Sequence, residues 1–437
     1  MADNEKTDNM VDPEADVTTD QGTDKAPDGQ EISSKRKMVG TVSLIGSHAI
    51  SDGLIDMLNP IYSTIASTTG ITITAATSLA TTMNFFNSLF KLPSGVLLSK
   101  VGKTRLLMVL GLLVQSLALI ALTYFQGLTG MLISVAVLGI AWSIYHPASY
   151  SLVALLLNKN RRTLITTYHN ISGSVGPLVY VAAIGALTVM YGWQWAVRII
   201  CIVSIILTIL VFFTLPKKVD SAPGKDSIST DDKKKKTTIL EMGKGIIANK
   251  NLMLICLLGA IRGFTHRGVT VFIPIFLATQ LAWSIDQISY LYSFMVACGI
   301  AGQFCIGFVG DRIGLTRVLM GLLVGTGLCV VGVATVTVVP MLVFFILTIG
   351  FFNYGIRPIM WSFAIASSTK EAMPMSMSAL DFSNQSLATL SPVLGGVVVD
   401  FFGIRPALAM YAATYFLAGL IAVYMNYDAK KNSAKKG

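Results

Sequence analysis

The chain has 437 residues, of which 53% are hydrophobic and 13% are charged, and its formal net charge is +10. Average soluble domains carry roughly 25% charged residues, so this composition excludes a soluble globular protein. The lysines and arginines lie in short segments between long apolar stretches, which is typical of cytoplasmic loops and gives no indication of nucleic-acid binding.

The chain begins with a strongly acidic segment. Residues 1–31 contain ten acidic side chains and two lysines, a composition that cannot bury a hydrophobic core. We therefore expect residues 1–38 to form a disordered cytoplasmic tail.

Apolar segments follow, each long enough to cross a hydrocarbon core of about 30 Å as a helix. Twelve can be counted, over approximately residues 40–67, 74–99, 105–125, 128–157, 163–190, 194–215, 251–279, 285–310, 316–336, 339–367, 373–401 and 405–427. A polar segment containing Lys233–Lys236 separates the sixth from the seventh. The predicted units are an N-terminal bundle (39–215), a basic cytoplasmic linker (216–250), a C-terminal bundle (251–428) and a basic cytoplasmic tail (429–437).

The loops alternate in charge along the chain. Those that contain Lys100 and Arg317 are basic, whereas residues 67–75 and 335–339 carry no charge. Because Lys and Arg are retained on the cytoplasmic side, we expect both termini in the cytoplasm and a multi-pass protein in the plasma (inner) membrane. The five cysteines lie in apolar segments without a CxxC pair, so we interpret them as core residues.

An internal repeat divides the chain into two halves. The pattern Gly95-x6-Gly102-x2-Arg105 recurs 212 residues later as Gly307-x6-Gly314-x2-Arg317. At offsets of 211 to 215, His146-Pro147 recurs as Arg357-Pro358, Pro60 as Pro274 and Pro177 as Pro392. Landmarks in one order at near-constant spacing indicate a duplicated unit. The sequence therefore predicts an all-α polytopic membrane protein with twelve transmembrane helices in two pseudo-symmetric six-helix bundles.

The segment Gly307-Phe308-Val309-Gly310-Asp311-Arg312-Ile313-Gly314 resembles the loop signature of the major facilitator superfamily, and the resemblance covers about residues 40–427. It implies a central cavity between two bundles that rock in alternating access. It also implies gating loops that latch the halves on the cytoplasmic side. Their residues would be Gly95, Gly102, Arg105, Gly307, Asp311, Arg312, Gly314 and Arg317. The first loop departs from the signature, because Ser99 stands where an acid is usual.

A narrower resemblance lies in two spans. Tyr145-His146-Pro147 in the fourth span, and Arg262 with Phe272–Leu277 in the seventh, are similar to efflux members of the fosmidomycin-resistance type. This resemblance implies export.

The first span contains His48, Asp52 and Asp56 at a spacing of four, which places them along one side of a helix. An Asp at mid-membrane costs about 2.5–3.5 kcal/mol on insertion scales, so a functional role is expected. We assign proton coupling to Asp52, His48 and Asp56. A permanent ion pair of Asp52 with an arginine, and a gate contact of Asp56, remain open. The same spacing suits a divalent metal, but the arginines of the second half argue against one, and no metal site is predicted.

Intramembrane polar residues recur between the halves. His48 corresponds to Arg262, Asp52 to His266, His146 to Arg357, and His169-Asn170 to Asn384-Gln385. Such groups usually face a bundle interior or a water-filled space, so one shared cavity is expected. The predicted substrate-binding residues are Arg262, His266, Arg357, His146, His169, Asn170, Asn384, Gln385 and Asp381.

Charge divides the two halves. Arginine stays charged in any protein environment and can bind a carboxylate or phosphonate through two hydrogen bonds. Arg262 and Arg357 therefore favour an anionic substrate, although Arg357 can also serve as a structural partner of Asp381 or Asp52. Arg267 is expected to form a packing ion pair.

These features predict a proton-coupled secondary transporter that exports a small organic anion or acidic amphiphile. The chain lacks a nucleotide-binding Gly-x4-Gly-Lys-Ser/Thr loop, and neither a cofactor nor an enzymatic activity is expected. The expected partners are the substrate, protons and the lipid bilayer, and the expected state is a monomer. Two alternatives remain open: a proton symporter that imports a carboxylate nutrient, and a transport-inactive receptor or sensor.

Overall fold

In the computed structural model, the described residues are 34–156, 162–216, 249–367 and 373–434, and they form helices without a strand. The helices are α1 (Ser34–Asp56), α2 (Tyr62–Thr69), α3 (Ile73–Val101), α4 (Thr104–Leu122), α5 (Leu128–Leu156), α6 (Arg162–Tyr191), α7 (Trp193–Thr214), α8 (Lys250–Gln280), α9 (Ile285–Ile313), α10 (Leu315–Thr335), α11 (Val339–Ala366), α12 (Met373–Phe402) and α13 (Ile404–Ala434). The predicted acidic segment 1–31, the lysine cluster of the linker and residues 435–437 lie outside the described residues.

The described helices that could cross a membrane correspond to eleven of the twelve predicted spans. Within the described residues, eleven helical segments are long and apolar enough to cross a membrane. The helix of the second predicted span, α3, has 29 residues but is not among them. Its interior contains Asn84, Asn87 and Lys91, which lower its hydropathy.

The first span is broken near its end. Helix α1 ends at Asp56, and a short 3-10 turn, Asn59–Ile61, leads into α2. Pro60 lacks a backbone N–H and cannot continue the hydrogen-bond pattern of α1. The break therefore leaves Asp56 at the last position of α1.

Glycine ends the helices that precede the two signature loops. Gly102 follows α3 with φ +67° and Gly314 follows α9 with φ +93°, a region that side chains rarely occupy. This backbone requirement explains why glycine recurs at both positions of the repeat.

Helix packing has the predicted pseudo-symmetry. In the first half, α1 packs on α6 and α3 on α5, and in the second half the corresponding pairs are α8 with α12 and α9 with α11. A Cβ at Gly139 would meet the carbonyl oxygen of Met83, and a Cβ at Gly350 would meet that of Met295. The glycines of these two contacts are 211 residues apart in the chain and the methionines are 212 apart. The close approach of the helices is therefore repeated in both halves.

The two halves meet through α3 with α12 and through α6 with α9. We call the face at which α1 begins and α13 ends the terminal face, and the other the opposite face. Near the opposite face, the backbone N–H of Val393 donates to Thr81 Oγ1 at 3.1 Å, and that of Thr74 donates to Asp400 Oδ2 at 3.1 Å. A Cβ at Gly185 would meet the side chain of Ser289. The halves are therefore in close contact at the opposite face.

Candidate functional site

The first half contains a cluster around Asp52. His48 Nε2 lies 3.2 Å from Asp52 Oδ2, one helical turn away on α1. His146 Nε2, from α5, lies 3.5 Å from Asp52 Oδ1. Asp52 keeps 24% of its side-chain area exposed, so this carboxylate is held between two imidazoles without being sealed from solvent.

A third histidine orients His48 from α6. The Nδ1 of His48 lies 2.5 Å from the backbone oxygen of His169, and the two rings stack with centroids 4.3 Å apart. His169 Nε2 is 3.3 Å from Ser149 Oγ on α5. A Cβ at Gly173 would lie 2.8 Å from His48 Cε1 and 2.9 Å from Asp52 Oδ2. Glycine at this position therefore allows α6 to approach the cluster.

One atom each of His48, Asp52 and His146 lie within 4.8 Å of one another. Two imidazole nitrogens and a carboxylate oxygen are suitable donors for a divalent transition metal. These three residues can therefore hold either protons or such an ion. Asp56, which shares their spacing in the sequence, is not part of this group.

In the second half, Arg262 of α8 is 5% exposed. Its Nη1 donates to Asn384 Oδ1 and its Nη2 to the backbone oxygen of Asn353, both at 3.3 Å, and its Nε has no hydrogen-bond partner among the described residues. No described carboxylate lies within ion-pair distance of Arg262. Its positive charge thus has neutral partners in the described part of the chain.

His266, one turn further along α8, joins the same group. Its Nδ1 lies 2.8 Å from Asn353 Nδ2, and its ring packs edge-on against Tyr354 with centroids 5.7 Å apart. Asn353 therefore links Arg262 and His266, through its backbone and its side chain respectively.

Arg357 is the more accessible arginine. Its Nη2 lies 3.6 Å from Asp381 Oδ1, its guanidinium lies over the Trp361 ring at 5.4 Å, and 58% of its side chain is exposed. Arg357 therefore pairs loosely with an acid of its own half and keeps most of its side chain accessible.

Asp56 faces the other half. Its Oδ1 lies 3.4 Å from Arg267 Nη1 on α8 and accepts a hydrogen bond from Asn59 Nδ2 at 3.2 Å. Asn59 Nδ2 also donates to the hydroxyl of Tyr292 on α9, at 3.1 Å. Arg267 is thus in an ion pair that bridges the halves, and not one within a single bundle.

Other predicted residues lie apart from these groups. Gln385 is half-buried on α12 and is not a partner of Arg262, and the side chain of Asn170 lies outside the described residues. Arg105 is buried within the first half, where its Nη1 donates to the backbone oxygen of Leu215 at 2.9 Å and its guanidinium lies over Phe212.

The remaining residues of the signature loops are on the surface or undescribed. Gly95, Arg312 and Arg317 are exposed, and Arg317 Nη1 contacts the backbone oxygen of Ile313 at 3.5 Å in its own half. Nothing is described of Gly307 or Asp311 beyond their helical backbone.

Sequence reasoning did not find Asn353, Ser149, Asn59 or Tyr292. Asn353 had a usable signal, because it is a polar residue one turn before Arg357 in an apolar helix. The others are small or common polar residues whose partners lie far away in the chain, and no spacing rule identifies them.

The sequence model of the Major Facilitator Superfamily matches residues 44–265 and again residues 255–437. The chain belongs to this superfamily. It is therefore a transporter and not an enzyme. It is an integral multi-pass membrane protein that carries small molecules.

Curated relatives of this superfamily member include transporters. It is 22% identical to the "Probable galactarate/D-glucarate transporter GudP" of Bacillus subtilis (strain 168) over 76% of this chain and 79% of that protein. It is 23% identical to a "Putative metabolite transport protein" of Haemophilus influenzae over 39% of this chain and 42% of that protein.

Solved structures share the fold of this superfamily member. A bacterial homolog of the human lysosomal transporter Spinster, in an inward-facing and unoccupied conformation, aligns with a TM-score of 0.75 at 13% identity and covers 90% of this chain and 99% of its own. A mutant of the nucleoside transporter NupG aligns with a TM-score of 0.76 at 14% identity, over 88% and 99%. These similarities confirm the all-α fold of two bundles.

Proposed function

We propose that this transporter exports a small organic anion or acidic amphiphile in exchange for protons. The observation that carries the proposal is Arg262, a buried cation whose described partners are neutral. A buried charge without a counter-charge is costly, and an anionic substrate would supply that counter-charge. Arg357, with most of its side chain exposed, would be the first arginine that the substrate meets.

The proton would bind in the cluster of the first half. Asp52 and His48 share a short contact, and His146 approaches the other carboxylate oxygen. In this proposal, protonation changes the charge of the cluster around Asp52, so that proton and anion influence each other's binding. His169 would orient His48, and Asp56 would act at the gate.

The name of one relative supports the proposed substrate class. The Bacillus subtilis relative is named for galactarate and D-glucarate, which are organic anions. We propose an organic acid as the substrate of this chain as well. The proposed setting is the plasma (inner) membrane, with a monomer whose bundles span residues 39–215 and 251–428 and whose termini are cytoplasmic.

Two other functions use the same geometry. A symporter would move a carboxylate and a proton in the same direction, into the cell. A receptor or sensor would bind the acid without moving it. Counterflow separates transport from binding, and the sign of the substrate response to an imposed pH gradient separates export from import.

The test is counterflow of labelled D-glucarate and a panel of mono-, di- and tricarboxylates into proteoliposomes, with and without a pH gradient. We expect at least one organic acid to exchange, and a pH gradient to drive its accumulation. Exchange of neutral solutes alone would contradict the anionic substrate, and gradient-independent accumulation would contradict the proton.

A further inference from the structure

The bridge between Asp56 and Arg267 leaves polar atoms without partners. Arg267 uses Nη1 for Asp56, whereas its Nε and Nη2 are buried and have no hydrogen-bond partner among the described residues. The hydroxyl of Tyr62 and the Oδ1 of Asn59 are also buried without described partners. We call Asp56, Asn59, Tyr62 and Arg267 the bridge cluster.

These residues belong together in space. Asn59 Nδ2 donates to the same Asp56 oxygen that faces Arg267, at 3.2 Å. Tyr62 is fully buried at the start of α2, and α2 packs on α8, the helix that contains Arg267. The break in the first span brings Asn59 and Tyr62 next to the end of α1, so the cluster follows from the position of Pro60.

The unpartnered atoms have a definite chemistry. Nε and Nη2 form one edge of the guanidinium, the pair of parallel donors that binds a carboxylate with two hydrogen bonds. The Tyr62 hydroxyl is a further buried donor without a described partner. Leaving a buried donor unsatisfied costs roughly 1–3 kcal/mol, and native proteins rarely do so. An oxyanion would satisfy this pair of donors, whereas no described residue does.

Closure of the opposite face limits access to this edge. Contacts such as Val393 with Thr81 and Gly185 with Ser289 hold the two halves together on that side, and the bridge cluster lies beneath them. Separation of the halves on that side would pull Arg267 of α8 away from Asp56 of α1. The free edge of Arg267 would then face an open passage.

We propose that Arg267 and Tyr62 form a second oxyanion-binding subsite, distinct from the Arg262 and Arg357 region, that becomes accessible when the opposite face opens. It binds one carboxylate or similar oxyanion group of a substrate entering or leaving on that side. This proposal rests on the organic-anion substrate proposed above. Because the subsite is accessible only when the opposite face is open, an anion bound there would favour that state.

The test measures closure of the opposite face directly. Asp400 Oδ2 accepts a hydrogen bond from the backbone N–H of Thr74 at 3.1 Å, so Thr74→Cys with Asp400→Cys reports contact between α3 and α12. In a background without the five native cysteines, we would measure the rate of disulfide formation in full-length protein, with D-glucarate or sulfate and with chloride at equal ionic strength. We expect the oxyanions to slow cross-linking by about fivefold or more, a typical size for coupling between a ligand and a conformational change.

Variants assign this effect to the subsite. Tyr62→Phe removes the hydroxyl and keeps the Asp56–Arg267 pair, and Arg267→Lys keeps the charge without the two-donor edge. Both should reduce the ratio of the rates with and without oxyanion to about one. Tyr180→Phe is the matched control, because the Tyr180 hydroxyl is bonded to Ser204 inside the first half, and Arg357→Ala should also keep the effect.

The outcomes separate this proposal from the one it rests on. Unchanged cross-linking with either oxyanion, or equal slowing in Tyr62→Phe and the parent, would overturn the subsite, even if organic acids exchange in counterflow. Slowing that is lost in Arg357→Ala and kept in Arg267→Lys would assign the oxyanion to the central region and would also overturn it. Slowing that depends on Arg267, without exchange of any organic acid, would support the subsite and contradict the proposed transport.

Discussion

Each ring nitrogen of His48 faces an oxygen acceptor: Nε2 lies 3.2 Å from Asp52 Oδ2, and Nδ1 lies 2.5 Å from the backbone oxygen of His169. Because a backbone oxygen only accepts hydrogen bonds, Nδ1 must carry a proton. Any proton between Nε2 and Asp52 is then shared by the two side chains. Protonation of His48 and of Asp52 is therefore one coupled event, as expected for strongly interacting groups.

The first prediction concerns the coupling proton. Asp52→Asn should strongly reduce accumulation driven by a pH gradient while counterflow of the same organic acid continues, because the amide cannot take up the proton. The loss should reach about 5- to 150-fold, the usual range of coupling between two bound species. Asp286→Asn, at the first turn of α9 and away from the cluster, is the control. Gradient-driven accumulation at the parent level in Asp52→Asn would refute the proton role.

The second prediction concerns the accessible arginine. Arg357→Ala should raise KM for the organic acid by roughly 10- to 150-fold, which corresponds to the loss of a charged hydrogen bond of about 1.5–3 kcal/mol. Arg357→Lys should be intermediate, because lysine keeps the charge but loses the planar fork. Arg405→Ala removes an exposed arginine at the start of α13 and should leave KM unchanged. An unchanged KM in Arg357→Ala would mean that its pair with Asp381 is structural.

The third prediction concerns the close contact between α3 and α5. Gly139→Ala places a Cβ against the carbonyl oxygen of Met83, and overpacking of this kind costs about 1–3 kcal/mol. We expect a lower Tm in detergent. Gly46→Ala, on the exposed side of α1 with no heavy atom within 4 Å of the new Cβ, should not lower Tm, because alanine favours a helix more than glycine. Equal Tm values for the two variants would count against this contact.

The fourth prediction concerns closure of the opposite face. Thr81→Val removes the hydrogen bond that the Val393 N–H makes across the two halves, a net loss of about 0.5–1.5 kcal/mol. The population should shift towards the state that is open on that side. Labelling of Ser289→Cys, a buried position packed on Gly185, with an impermeant maleimide would report it. Thr81→Ser keeps a hydroxyl and should label like the parent, and slow labelling in Thr81→Val would argue against this contribution.

The repeat allowed most of the fold to be predicted from the sequence. It identified the two bundles, and the glycines at 102 and 314 are present at both helix ends because both ends require a positive φ. Local patterns work here because a lipid environment leaves few solutions for the backbone. What the repeat could not show is which polar groups of one half touch each other.

The candidate site illustrates that limit. The offset paired His146 with Arg357, and the structure places His146 beside Asp52 of its own half. The spacing of four grouped Asp56 with His48 and Asp52, whereas the ion pair of Asp56 is with Arg267. An offset relates equivalent positions, but contacts depend on side-chain length and helix rotation. The neutral partners of Arg262 were beyond sequence reasoning for the same reason, because an asparagine is compatible with many environments.

The hydrogen bond between Val393 and Thr81 has a consequence for how sequences of this kind can diverge. Its donor is a backbone group of α12, which every residue except proline supplies, so the identity of residue 393 is almost irrelevant to this contact. Its acceptor is a single hydroxyl on α3. As far as this hydrogen bond is concerned, substitutions on the two sides should therefore be tolerated unequally: any residue except proline suffices at 393, whereas residue 81 needs a side chain with a hydrogen-bond acceptor.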